Sequence, residues 1–75
     1  MKKKVELTEE QIQACEDGFS QAESNDYVST YSSRKEIEDN IYEILEFGCD
    51  DVDELFLTDE EINAAIDYIN DELCD

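Results

Sequence analysis

The chain has no histidine, no proline and no tryptophan, only two glycines, and five basic residues against 23 acidic ones. Each shortage excludes something. Without His, no side chain has an ordinary pKa near neutrality, so acid–base catalysis at pH 7 lacks its usual carrier. Cys15, Cys49 and Cys74 stand at wide, irregular spacing with no C-x-x-C pair. With no His beside them they make neither a zinc site nor a disulfide framework. Three scattered thiols suit a reducing compartment, where Cys15 and Cys49 are expected as small core residues. Their acidic surroundings hold a thiol protonated rather than activating it. Cys74, close to the last residue, could cross-link a dimer on oxidation. No apolar run approaches the roughly 18–20 residues of a membrane span. Lys2, Lys3 and Lys4 have no apolar stretch after them, so the start is not read as a secretory signal. A cytoplasmic location is the expectation. The absence of Pro and of any Gly-rich linker leaves residues 1–75 as one acidic helical domain.

What is present is acid, and it is unevenly placed. Residues 1–35 hold all five basic residues against seven acidic ones, whereas residues 36–75 hold sixteen acidic residues and no basic one. Direct binding of nucleic acid or of an anionic membrane is excluded, because both would be repelled. A basic partner is favoured instead, and nucleic-acid-handling proteins carry the commonest large basic grooves. Seven Ile, five Leu, three Phe and four Tyr are enough for a small core, so the chain reads as folded against its own repulsion.

Three helix starts are written in the sequence. Thr8 with Gln11 three residues on forms a capping box, and Leu7 can staple onto Ile12. Thr58 with Glu61 repeats the device, with Leu57 and Ile62 as its staple. Ser33 with Glu36 is a third box without a staple. Helix 1 is expected from Glu9 to Asp17 or on to Ala22, with Ile12, Cys15, Phe19 and Ala22 inward. Helix 2 is expected from Arg34 to Phe47, with Gly48 as its C′ residue and Ile37, Ile41, Ile44 and Leu45 inward. Arg34 and Lys35 can pair with Glu38 and Asp39 four residues on. Helix 3 is expected from Asp59 to Leu73 on an Ile62, Ala65, Ile66, Ile69, Leu73 face. The fold class is therefore all-α, a compact three-helix domain. Residues 26–32 (DYVSTYS) are compatible with one short strand-like segment between helices 1 and 2. Residues 50–56 (DDVDELF) fit a loop or a short helical turn. The segments LTEEQIQAC (7–15) and LTDEEINAA (57–65) echo each other, through duplication or through two uses of one cap-and-staple device.

The acids fall into faces. Glu36, Asp39, Glu43 and Glu46, spaced 3, 4 and 3, form one stripe opposite the isoleucines of helix 2. Glu60, Asp67 and Asp71 lie opposite the Ile face of helix 3, and Asp50, Asp51, Asp53 and Glu54 form a dense cluster between the two helices. Tyr42 and Tyr68 project beside these faces as candidate apolar anchors. Residues 59–75 carry roughly one carboxylate per 3.5 Å of helix, close to the ~3.4 Å phosphate spacing of one DNA strand. A surface selected only for solubility would intersperse Lys and Arg.

In size and charge pattern the chain resembles the small DNA-mimic inhibitors of phages and mobile elements: uracil-glycosylase inhibitors, antirestriction proteins and anti-CRISPR proteins. The resemblance covers the acidic stripes of residues 36–75, and because these inhibitors have unrelated folds it transfers no residue by position. It implies that carboxylates occupy the basic groove of a host defence protein, such as a CRISPR effector or a restriction nuclease, and exclude its nucleic acid. The competing expectation is a small helical adaptor or regulatory module, monomeric or dimeric, whose acids only keep it soluble.

No enzyme, cofactor or metal site is expected. A domain this small has little room to bury a working carboxylate pair. A calcium loop beginning at Asp51 would need ligands at Leu55 and Ile62 and a Gly at Phe56, and one beginning at Asp50 places Val52 at its third position. Weak, unspecific divalent binding by residues 50–54 is expected, as for any such cluster.

Overall fold

A computed structural model describes residues 6–74 of the chain. The expectation attached to Lys2, Lys3 and Lys4 lies outside the described residues, as does the terminal Asp75. The elements are α1 (Glu9–Ser24), α2 (Arg34–Asp39), α3 (Ile41–Gly48), α4 (Val52–Leu55) and α5 (Asp59–Tyr68), the last continuing into a π-helical turn, Ile69–Leu73. Among the described residues there is no strand. The segment of residues 26–32, compatible with a strand by its sequence, is instead a bent loop built on side-chain hydrogen bonds.

Two of the predicted capping boxes form in full. Thr8 accepts from the Gln11 backbone N–H and Gln11 returns the bond, and Thr58 and Glu61 do the same for α5. Ser33 accepts from the Glu36 N–H, but the Glu36 carboxylate turns to the Ser32 hydroxyl, 3.1 Å away, so the third box is one-sided. The second staple fails: Leu57 is 75% exposed.

The two echoing segments meet. Gln11 is buried, its Oε1 accepting from the Thr8 N–H at 2.9 Å. Its Nε2 donates to the Leu55 carbonyl at 2.8 Å and to Glu61 Oε2 at 2.6 Å. The third helical residue of one box thereby holds the third residue of the other.

Helix 2 of the sequence is two helices. Asn40 sits at φ −110°, ψ 11°, and its side-chain amide donates to the Glu36 carbonyl at 2.9 Å. The side chain joins the Asn40 N–H, 3.1 Å away, on that same carbonyl, a local bond that closes α2 at Asp39 and lets the chain restart as α3. α3 packs chiefly on α1, while α2 packs on α5 and the π-helical turn. Ile37, Ile41, Ile44 and Leu45 are all buried, as the sequence predicts, together with Phe19, Ile66 and Ile69. α1 runs two residues past its longest expected end. Ile12, expected inward, is only half-buried, and Gln11, Ala14 and Gly18 are buried instead.

Gly48 is the last residue of α3 and has no positive φ, so it is not the expected left-handed C′ cap. Its role is contact. A Cβ on Gly48 would fall on the Ala14 carbonyl oxygen, and one on Gly18 would fall on that of Ile44. The two glycines let the backbones of α1 and α3 touch.

Candidate anionic interface

The connection after α3 is shaped by two apolar residues. Val52 and Phe56, four residues apart, are both buried. Burying such a pair contributes about 1.5–3 kcal/mol per side chain and winds the four-residue turn α4 onto the core. Asp51 caps that turn, its Oδ1 accepting from the Glu54 N–H at 3.3 Å. The acids before and between them, Asp50, Asp51, Asp53 and Glu54, are held outward and exposed. The helical-turn reading of residues 50–56 is the one the structure takes.

This turn and the outer face of α3 enclose an open recess of about 420 Å³, lined by Tyr42, Glu46, Asp50, Asp51, Val52 and Asp53. Five of the thirteen sequence-predicted site residues therefore come together, with no basic side chain among the described residues of the lining. Tyr42 and Glu46 face it from one side of α3, four residues apart, and Tyr42 keeps half its surface exposed. Behind the recess, burial pushes the Cys49 thiol up from its ordinary pKa. The Asp51 N–H opposes that shift, while the charges of Asp50, Asp51 and Glu46 add to it. Cys15 is buried outright and its thiol is pushed up to about 12 by that burial, with Glu16 and Cys49 adding. Both thiols are held protonated.

The other predicted residues lie elsewhere or are otherwise engaged. Glu43 is exposed on α3, and Glu54 on α4, outside the recess lining. Glu36 and Asp39 belong to α2, so the expected four-carboxylate stripe is divided at Asn40. Asp39 lies 3.9 Å from Lys35, as its spacing predicts. Arg34 does not pair with Glu38 but with Asp67 of α5, at 2.5 Å, which removes one negative charge from the α5 face. The Tyr68 hydroxyl donates to Glu16 Oε2 at 2.7 Å, and that bond chiefly pushes its pKa up to about 12. Tyr68 is thus a tether between α5 and α1 rather than an exposed anchor. Glu60 and Asp71 are exposed and stand apart from the recess.

One lining residue, Val52, and one neighbouring aromatic, Tyr27, fall outside the sequence expectations. Val52 forms the recess wall, and its signal was a lone apolar residue in an acidic run, four positions before Phe56. Tyr27 packs edge-on against Phe47, ring centroids 5.4 Å apart at 61°, and still exposes half its surface. Only the β-branched and aromatic character of residues 26–32 hinted at it, and the strand expectation absorbed that hint.

Among the described residues no three Cys, Asp or Glu side chains are grouped to hold a metal ion. No helix among them is long and apolar enough to cross a membrane. In comparison with known proteins, no family model matches the chain, and no curated protein or solved structure proves similar to it.

Proposed function

We propose that this protein is a binding inhibitor, not an enzyme, that presents carboxylates in place of nucleic-acid phosphates to the basic groove of a nucleic-acid-binding protein. A CRISPR effector or a restriction nuclease is a target of that kind. The observation that carries this reading is the recess, where Glu46, Asp50, Asp51 and Asp53 surround a half-exposed Tyr42 with no cation among the described lining residues. A concave surface of one sign focuses its field and speeds the encounter with an oppositely charged partner. Tyr42 and Val52 add the apolar contact that turns a charge-driven encounter into a lasting complex.

The test is displacement of labelled DNA from a panel comprising a CRISPR effector, a restriction nuclease and a DNA glycosylase. Displacement of DNA from at least one of them is expected at about 50 mM salt and should be largely lost at about 500 mM, where the screening length falls to a few Å. Changing Glu46, Asp50, Asp51 and Asp53 to Lys should abolish it, and changing Glu36 and Asp39 to Lys should leave most of it. Displacement that ignores both salt and the recess substitutions would instead favour an adaptor docking through apolar surface.

A further inference from the structure

The loop between α1 and α2 is built more firmly than a connection needs. α1 ends in a Schellman turn: the Tyr27 N–H reaches the Ala22 carbonyl at 2.9 Å and the Asp26 N–H reaches that of Glu23 at 3.1 Å. Asp26 occupies the left-handed region there, at φ 64°, where a non-glycine residue is strained. Beyond it Val28 plugs into the core, and the buried Ser32 hydroxyl accepts from the Ser29 N–H at 2.9 Å. The Tyr31 N–H donates to the Ser29 hydroxyl at 3.2 Å.

The effect of this scaffolding is to hold two tyrosines outward, Tyr31 with 83% of its surface exposed and Tyr27 with 49%. Residues 25–33 read NDYVSTYSS, with Asp26 as the one charged residue. Rigid tyrosines among Ser, Thr and Asn are the composition of a recognition loop, because Tyr offers large contact area at little cost in side-chain freedom. The loop also adjoins the acidic helix. Tyr27 rests on Phe47, and one turn back on the same face of α3 stands the exposed Glu43.

We infer that this loop is a second contact surface for the same basic partner, on which Tyr27 and Tyr31 stack the guanidinium groups of arginine side chains. The inference rests on the proposed acidic interface, since charge complementarity is what brings a basic partner to α3. Its added content is a preference for Arg over Lys. A planar, weakly hydrated guanidinium stacks on an aromatic face, whereas a compact ammonium at an exposed site keeps its water.

Hexa-arginine and hexa-lysine peptides, titrated against the intact chain at low salt, separate the two levels. Hexa-arginine should bind roughly twofold to fivefold more tightly per stacked ring, the range an exposed cation–π contact supplies. Tyr27→Ala with Tyr31→Ala should narrow the preference by the same factor per ring and leave hexa-lysine unchanged, the remainder being bidentate pairing of guanidinium with the recess carboxylates. Tyr27→Phe should keep the preference. Tyr31→Ala alone, at a nearly bare side chain, should lower the preference without moving the melting temperature, which guards against misfolding of the double variant. Equal binding of the two peptides, or a preference undiminished by the double substitution, overturns the loop's role. Binding of both peptides that survives Lys at Glu46, Asp50, Asp51 and Asp53 overturns the acidic interface instead.

Discussion

Among the described residues, Gln11 and Glu61 carry the most connected polar contact. Glu61 accepts from Gln11, from the Leu57 and Thr58 N–H groups and from the Thr58 hydroxyl. The Gln11 bond, more than the others, holds its carboxyl below its ordinary pKa. A group whose pKa is lower in the folded chain stabilises the fold above its unfolded pKa and loses that contribution as pH falls through the folded value. Protonating the other acids relieves repulsion at the same time, so the informative quantity is a difference. The melting-temperature gap between wild type and Glu61→Gln should be widest near neutrality and should close as the pH drops through the carboxylate range. A gap independent of pH would mean that the charge of Glu61 is not what Gln11 holds. Asp26 offers the opposite case. Its left-handed backbone and its negative charge at the C-terminal end of α1 both oppose folding. Asp26→Gly should therefore raise stability by about 1 kcal/mol, read as a higher midpoint in chemical denaturation.

At the scale of elements, two glycines and one asparagine decide how the helices lie. Glycine in a helix interior costs about 1 kcal/mol against alanine, so Gly18→Ala would stabilise an isolated α1. Here the new methyl meets the Ile44 backbone, which cannot swing aside as a side chain can. Gly18→Ala and Gly48→Ala should each destabilise by about 2 kcal/mol or more, and a neutral result in chemical denaturation would refute close backbone contact between α1 and α3. Much of the element pattern was legible beforehand. The capping residues Thr8, Ser33 and Thr58 marked three true starts, and the Ile spacing marked the buried faces of α3 and α5. The break at Asn40 was not legible, because Ile37, Ile41 and Ile44 keep a continuous helical spacing across it. What breaks the helix is a bond from the Asn40 side chain to its own helix end, combined with two different packing partners on either side.

For the whole molecule the governing quantity is a net charge of −18 on 75 residues. The described cations pair only twice with acids, Arg34 with Asp67 and Lys35 with Asp39, and both pairs are partly or fully solvated. Such pairs contribute about 0–1 kcal/mol each and cannot offset the repulsion. Added salt should accordingly raise the melting temperature, most steeply below about 0.1 M, where the screening length exceeds ~10 Å. A melt insensitive to salt would show that the acids lie too far apart to repel.

The helical class, the caps, the apolar faces and the imbalance of charge follow from local spacing and composition alone. These depend on residues three or four apart, whose relation a helix fixes without help from the rest of the chain. Which acids come to lie together depends on long-range packing. Asp67 and Tyr68 are drawn off by Arg34 and Glu16, partners 33 and 52 residues away. Glu46 joins Asp50, Asp51 and Asp53 because Val52 and Phe56 wind the intervening turn onto the core. Spacing along the chain places a carboxylate on a face, but long-range packing determines whether a cation from elsewhere reaches it.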